Sequence, residues 1–116
     1  MSVNKVILIG NVGQKPEIRY VGERPVATFS LATNERQRSS VPGAEPNEIT
    51  EWHNIVMWDR AAEIAERYID KGTKLYIEGK IRTRTWQDRN AIKRNITEII
   101  VENFDLLGRP GSNGTT

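Results

Sequence analysis

Apolar and polar positions alternate in short runs along most of this chain, and glycine, proline and small polar residues separate the runs. A period of two sends successive side chains to opposite faces of a strand, whereas a helix repeats its apolar positions every three or four residues. Val3–Ile9 reads as a strand closed by Gly10-Asn11-Val12-Gly13. Glu17–Val21 is a weak extension, followed by a turn at Gly22-Glu23-Arg24-Pro25. From 26 to 33, Val26, Thr28, Ser30 and Ala32 face one way, and Ala27, Phe29, Leu31 and Thr33 the other. Residues 35–48 hold two prolines, a glycine and many polar groups, which predicts a long mobile loop that orders on a ligand or stays loose. Ile49–Trp58 is the next strand, Thr73–Ile81 a fourth, and Arg94–Leu107 contains a fifth. Only Asp59–Asp70 has the helical period: Ala61, Ile64, Ala65, Tyr68 and Ile69 form one stripe, with Asp59 placed as N-cap and Lys71-Gly72 as the stop.

Five strands with one helix between the third and fourth match an all-β OB-fold, a five-stranded Greek-key barrel that binds oligonucleotides or oligosaccharides. Small barrels of other kinds give similar strings. Composition agrees with a strand-rich chain, since Ile and Val outnumber Leu by 21 to 5. A length of 116 residues suits one domain, expected over 1–108, with 109–116 as a flexible tail. There is no cysteine and His53 is the only histidine, so thiolate chemistry and multi-histidine metal sites are excluded. No cofactor is expected. The longest apolar run, Val6–Ile9, is far short of the ~20 residues of a membrane span, and no secretion signal is visible, which predicts a cytoplasmic protein.

The net charge of +2 argues for no partner by itself, but its placement does. Residues 82–94 carry Arg82, Arg84, Arg89, Lys93 and Arg94 against Asp88 alone, a local charge of +4 around Trp86. Basic side chains beside an aromatic ring can follow a phosphate backbone while a base stacks. A solvated hairpin with arginines for solubility is the plainer alternative. Trp86 has no apolar neighbour in sequence, which favours recognition over core packing. On the third strand, Trp52, Asn54, Val56 and Trp58 share a face, and Ile55 and Met57 point to the core side with His53. The two tryptophans sit roughly 20 Å apart at ~3.3 Å per residue, a spacing that suits an extended single strand. Packing under a loop or in a subunit contact would also account for them. Gly10-x-x-Gly13 reads as a plain turn, and no Ser–His pairing or carboxylate pair suggests an enzyme.

The stretches VNKVILIGNVGQKPEIRY, ATFSLAT, EWHNIVMWDRAAEIAERYIDKGTKLYIEGKIRTRTWQD and ITEIIVENFDLLG resemble the bacterial single-stranded DNA-binding protein family across nearly all of residues 3–108. The resemblance implies an OB-fold protomer of a homotetramer that binds single-stranded DNA without sequence preference and protects it in replication, recombination and repair. It places base stacking on Trp52, Trp58 and Trp86, and phosphate contacts on Lys5, Arg60, Lys71, Arg82 and Arg84, with Arg19 a weaker match. A further family aromatic falls on Gln37, beside which Arg36 and Arg38 can meet phosphate; Arg89 lies in the same basic hairpin as Trp86. His53 falls where the family has a subunit-interface histidine. Family members commonly carry an acidic, Phe-ended tail that recruits DNA-processing enzymes. No acidic residue follows Asp105 here, which leaves such recruitment open. The rival readings are a dimeric OB-fold accessory of the primosome, a cold-shock type RNA binder that lacks its K-G-F-G-F run here, and an OB-fold nuclease.

Overall fold

The computed structural model describes residues 1–37, 41–45 and 47–109. In chain order the elements are β1 Val6–Val12, β2 Glu17–Val21, β3 Arg24–Gln37, β4 Asn47–Trp58, α1 Arg60–Tyr68, β5 Lys74–Gln87 and β6 Lys93–Gly108. The strands follow one another around the sheet as β1-β5-β6-β4-β3, and β1 returns to β3 through Asn11↔Ala32 and Val12↔Leu31, which closes a barrel of five strands. Pairing is antiparallel except between β4 and β6, where Ile55↔Ile99 and Val56↔Ile100 run parallel. The weak extension at 17–21 is a strand in its own right. It pairs with β3 outside the ring. The OB-fold with a helix between its third and fourth barrel strands is therefore the architecture that forms.

Strand alternation sets the core. Ala27, Phe29 and Leu31 of β3 and Ile55 and Met57 of β4 are buried, and they meet Val12, Leu75, Ile77 and Ile99 inside the barrel. Each of these apart from Ala27 contributes about 1.5–3 kcal/mol on burial, the main term set against the chain's ordering entropy. α1 closes one end of the barrel with Ala62, Ala65 and Ile69, while Tyr68 of the expected stripe is exposed. β1 runs through Gly10 instead of stopping there. A Cβ at Gly10 would run into the Ala32 carbonyl, so the missing side chain is what lets β1 approach β3 and close the ring.

Three local expectations change. The segment 35–48 is not one long loop: β3 and β4 stay paired out to Arg36↔Glu48 and Gln37↔Asn47, so only its middle connects the strands. β5 continues six residues past Ile81 to Gln87 as one arm of a long β5–β6 hairpin. Asp59 stands at the N-cap position of α1 but makes no capping hydrogen bond, because its carboxylate is engaged by Arg24. The tail expected at 109–116 lies outside the described residues from 110 onward.

Candidate nucleic-acid interface

The registers place one outer face across β2, β3, β4, β6 and β5. Arg19 is opposite Val26, Thr28 opposite Val56, Val56 opposite Ile100, and Arg82 and Arg84 opposite Glu98 and Ile96. Trp52 and Trp58 have the parity of Val56, and Trp86 that of Arg84, so all three tryptophans lie on this face. Two adjoining grooves run over it. Arg19, Thr28, Arg84 and Glu98 line both, and Trp58, Val26, Val56 and Arg82 complete the one at the β4 C-terminal end. The larger groove encloses about 320 Å³.

Each ring is held differently. Trp52 is 59% exposed and lies over Gly13, where a Cβ would come within 2.5 Å of the ring; glycine there lets the indole lie down on the barrel. Trp58 is half-buried at the end of β4, with the Arg24 guanidinium 4.6 Å from its ring centroid. Trp86 is 43% exposed on the projecting hairpin, opposite Arg94. A ring buried in a core would expose almost nothing, so Trp52 and Trp86 have open area for a ligand.

The cations divide into bound and free. Arg84 donates from Nε to Glu98 Oε1 at 2.9 Å, and Glu98 is nearly buried beneath it. Because the carboxylate takes one side of the fork, Arg84 is oriented with its remaining donors toward the groove. Arg94 donates to Asp88 Oδ2 at 2.9 Å, and Asp88 Oδ1 accepts from the Asn90 and Ile92 amides, which pins the hairpin tip. The Arg94 hydrogen bond, followed by the Ile92 amide, holds the Asp88 carboxyl below its usual range. Arg89 is exposed at that tip, and Arg36 is exposed near the end of β3. Arg60 is exposed at the start of α1 and Lys71 in the turn after it, both on the barrel's closed end. Arg38 lies outside the described residues.

Lys5 is set apart. Its ammonium lies 2.9 Å from Glu78 on the β1–β5 face, and the Tyr76 hydroxyl also donates to Glu78. The hydrogen bonds from Tyr76 and then Lys5 hold the Glu78 carboxyl below its ordinary range. His53 points away from the tryptophan face, with Nε2 2.9 Å from Thr33 Oγ1. It lines a groove of about 480 Å³ with Val6, Leu8, Ile81 and Ile99, which Trp52 and Asn54 of the tryptophan face also line. Among the described residues no cluster of three His, Asp or Glu is placed to hold a metal ion, and no helix is long and apolar enough to cross a membrane.

Sequence reasoning missed Arg24, Glu98, Gly13 and Asp88. Glu98 was within reach of a parity argument, because Ile96, Glu98 and Ile100 alternate with the arginine-bearing strand beside them. Arg24 had no local signal, since its partner is 35 residues away.

A closed OB barrel with aromatic rings and arginines on one outer face defines a small nucleic-acid-binding barrel. Residues 3–107 match the single-strand binding protein family, and the chain belongs to that family. A single-stranded DNA-binding protein of Bacteroides thetaiotaomicron is 54% identical over 114 residues, covering 97% of this chain and 71% of that protein. One from Rickettsia typhi is 45% identical over 121 residues, covering 99% of this chain and 79% of the relative. Among solved structures, a Plasmodium falciparum SSB in complex with ssDNA superposes with a TM-score of 0.82 at 38% identity, over 93% of this chain and 97% of that one.

Proposed function

We propose that this chain binds single-stranded DNA without sequence preference, and so protects it during replication, recombination and repair. The observation that carries the reading is the gathering of Trp52, Trp58 and Trp86 on one face with Arg19, Arg82 and Arg84 between them. Bases stack on the rings, each worth about 1–3 kcal/mol, and because every base has a π-face the stack is indifferent to sequence. The arginines follow the phosphates, and Arg36, Arg38, Arg60, Lys71 and Arg89 extend the path beyond the groove. Lys5 joins it only by exchanging Glu78 for phosphate. Nothing in this reading requires a reaction: the protein acts as a binder and not as an enzyme, in the cytoplasm where its DNA is.

The protomer works as part of a homotetramer. Support comes from β1, whose residues 6–10 pair with β5 on one side while the other edge has no strand among the described residues. Ile7 and Ile9 are more than half exposed there, and His53 lies beside Val6 and Leu8 in the neighbouring groove. Titration with poly(dT) tests the function directly. Tryptophan emission should quench to a stoichiometric end point, equally with mixed-sequence single strands, while duplex leaves it unchanged. Absence of quenching with every single strand would overturn the reading. A labelled oligonucleotide should stay intact with magnesium present; cleavage would make the protein a nuclease.

A further inference from the structure

The sequence offers Arg24 only as a turn residue, yet in the structure it opens β3 and makes the one cation–ring stack among the described residues, 4.6 Å from the Trp58 centroid. Its guanidinium is fixed by two hydrogen bonds to Asp59, Nε to Oδ1 at 3.0 Å and Nη2 to Oδ2 at 2.8 Å. Asp59 adopts φ 58° and ψ −123°, a conformation L residues rarely take, and its carboxylate leaves the α1 N-terminus uncapped. Both departures turn that carboxylate toward Arg24. A pair this exposed adds little to stability, so its consequence is positional.

The groove onto which Trp58 opens is lined by Arg19, Arg82 and Arg84, and Arg24 is not part of that lining. The guanidinium therefore meets the indole outside the lining of that groove. We propose that Arg24, locked by Asp59, is a positioning residue for DNA binding: it holds the Trp58 ring from behind so that the groove side receives a base. The inference rests on Trp58 being a stacking platform. A ring already fixed by one stacked partner has less rotamer freedom to lose when a base arrives, which raises affinity through preorganisation.

The test is anisotropy of a labelled dT oligonucleotide across a salt series, with Arg24→Ala, Arg24→Lys, Asp59→Asn, Trp58→Ala and the Arg24→Ala/Trp58→Ala double variant. Arg24→Ala should weaken binding about two- to fivefold, the range of an exposed cation–ring contact, with the slope of affinity against salt unchanged. Arg24→Lys keeps the charge but not the two-bond fork, and should lose affinity as well. Asp59→Asn is the sharpest arm. It removes a negative charge beside a polyanion site, which on charge alone would tighten binding, yet positioning requires it to weaken; asparagine tolerates the positive φ. In the Trp58→Ala background Arg24→Ala should cost nothing more. Tighter or unchanged binding by Arg24→Ala, tighter binding by Asp59→Asn, or a loss that persists without Trp58 would each overturn the inference. If Trp58→Ala alone leaves affinity intact, the stacking role of Trp58 fails first. If that variant weakens binding while Arg24→Ala does not, only the positioning role is lost.

Discussion

At the scale of single residues, exposure and partners separate the interface groups more finely than residue type does. Trp86 has no core contact to lose, so Trp86→Ala should leave the unfolding midpoint near that of the parent while lowering affinity for dT and mixed strands alike, by about 1–3 kcal/mol. Fluorescence titration beside a thermal melt checks both halves. Arg84 is less simple, because its removal uncovers Glu98. If each protomer neutralises about four phosphates, log affinity falls against log salt with a slope near −3. Arg84→Ala should flatten that slope by about 0.7, one phosphate's share on a single strand, and it should also add repulsion between the bared carboxylate and the DNA. Pairing it with Glu98→Gln should restore part of the affinity but none of the slope. An unchanged slope in both variants would take Arg84 out of the phosphate contacts.

At the scale of elements, legibility followed hydrophobic contrast. β3 and β4 were readable because one face of each is core and the other is not, so period two places Trp52 and Trp58 opposite Ile55 and Met57. The outer half of β5 was not readable, because Arg82–Gln87 projects past the barrel with both faces exposed and carries no alternation to detect. Cross-strand contacts hold it instead: Thr83 Oγ1 with Thr97 Oγ1 at 3.0 Å, and Thr85 Oγ1 donating to Asn95 Oδ1 at 2.9 Å. The helix cap failed for another reason, since a local rule for Asp59 was overridden by the remote Arg24. The hairpin tip yields a pH prediction. Asp88 has a folded pKa below its ordinary 3.8, so the order it confers is complete above that value and is lost as pH falls through the lower folded one. Hydrogen exchange at the Asn90 and Ile92 amides should be slow and flat from neutral pH down to about 4 once the intrinsic rate is divided out, then lose protection in stronger acid. Asp88→Ala should remove that protection at neutral pH.

At the scale of the whole molecule, the net charge of +2 conceals a division of labour between two outer faces. One face gathers arginines and tryptophans; the other carries Ile7 and Ile9 of β1 beside Tyr76 and Glu78 of β5. An open, apolar strand edge is a template for pairing with another chain unless something covers it, and Lys5 with Glu78 is the polar guard at its start. A second copy covering the edge would bury Ile7 and Ile9 and leave free the groove lined by Trp58, Arg19, Arg82 and Arg84, which contains no β1 residue. Ile9→Glu tests that division. It sets a carboxylate on the face that already holds Glu78, and in a symmetric contact it brings like charges together and strands them in an apolar interface. Light scattering should show the mass fall from a multiple of the protomer toward 13.2 kDa, with the far-ultraviolet spectrum of the barrel retained. The dissociated protomer keeps its tryptophans and arginines, so poly(dT) should still quench it. A long strand can no longer engage several linked sites at once, so affinity for long strands should drop much further than affinity for an oligonucleotide of one site's length. If the mass is unchanged, the edge of β1 does not hold the assembly together.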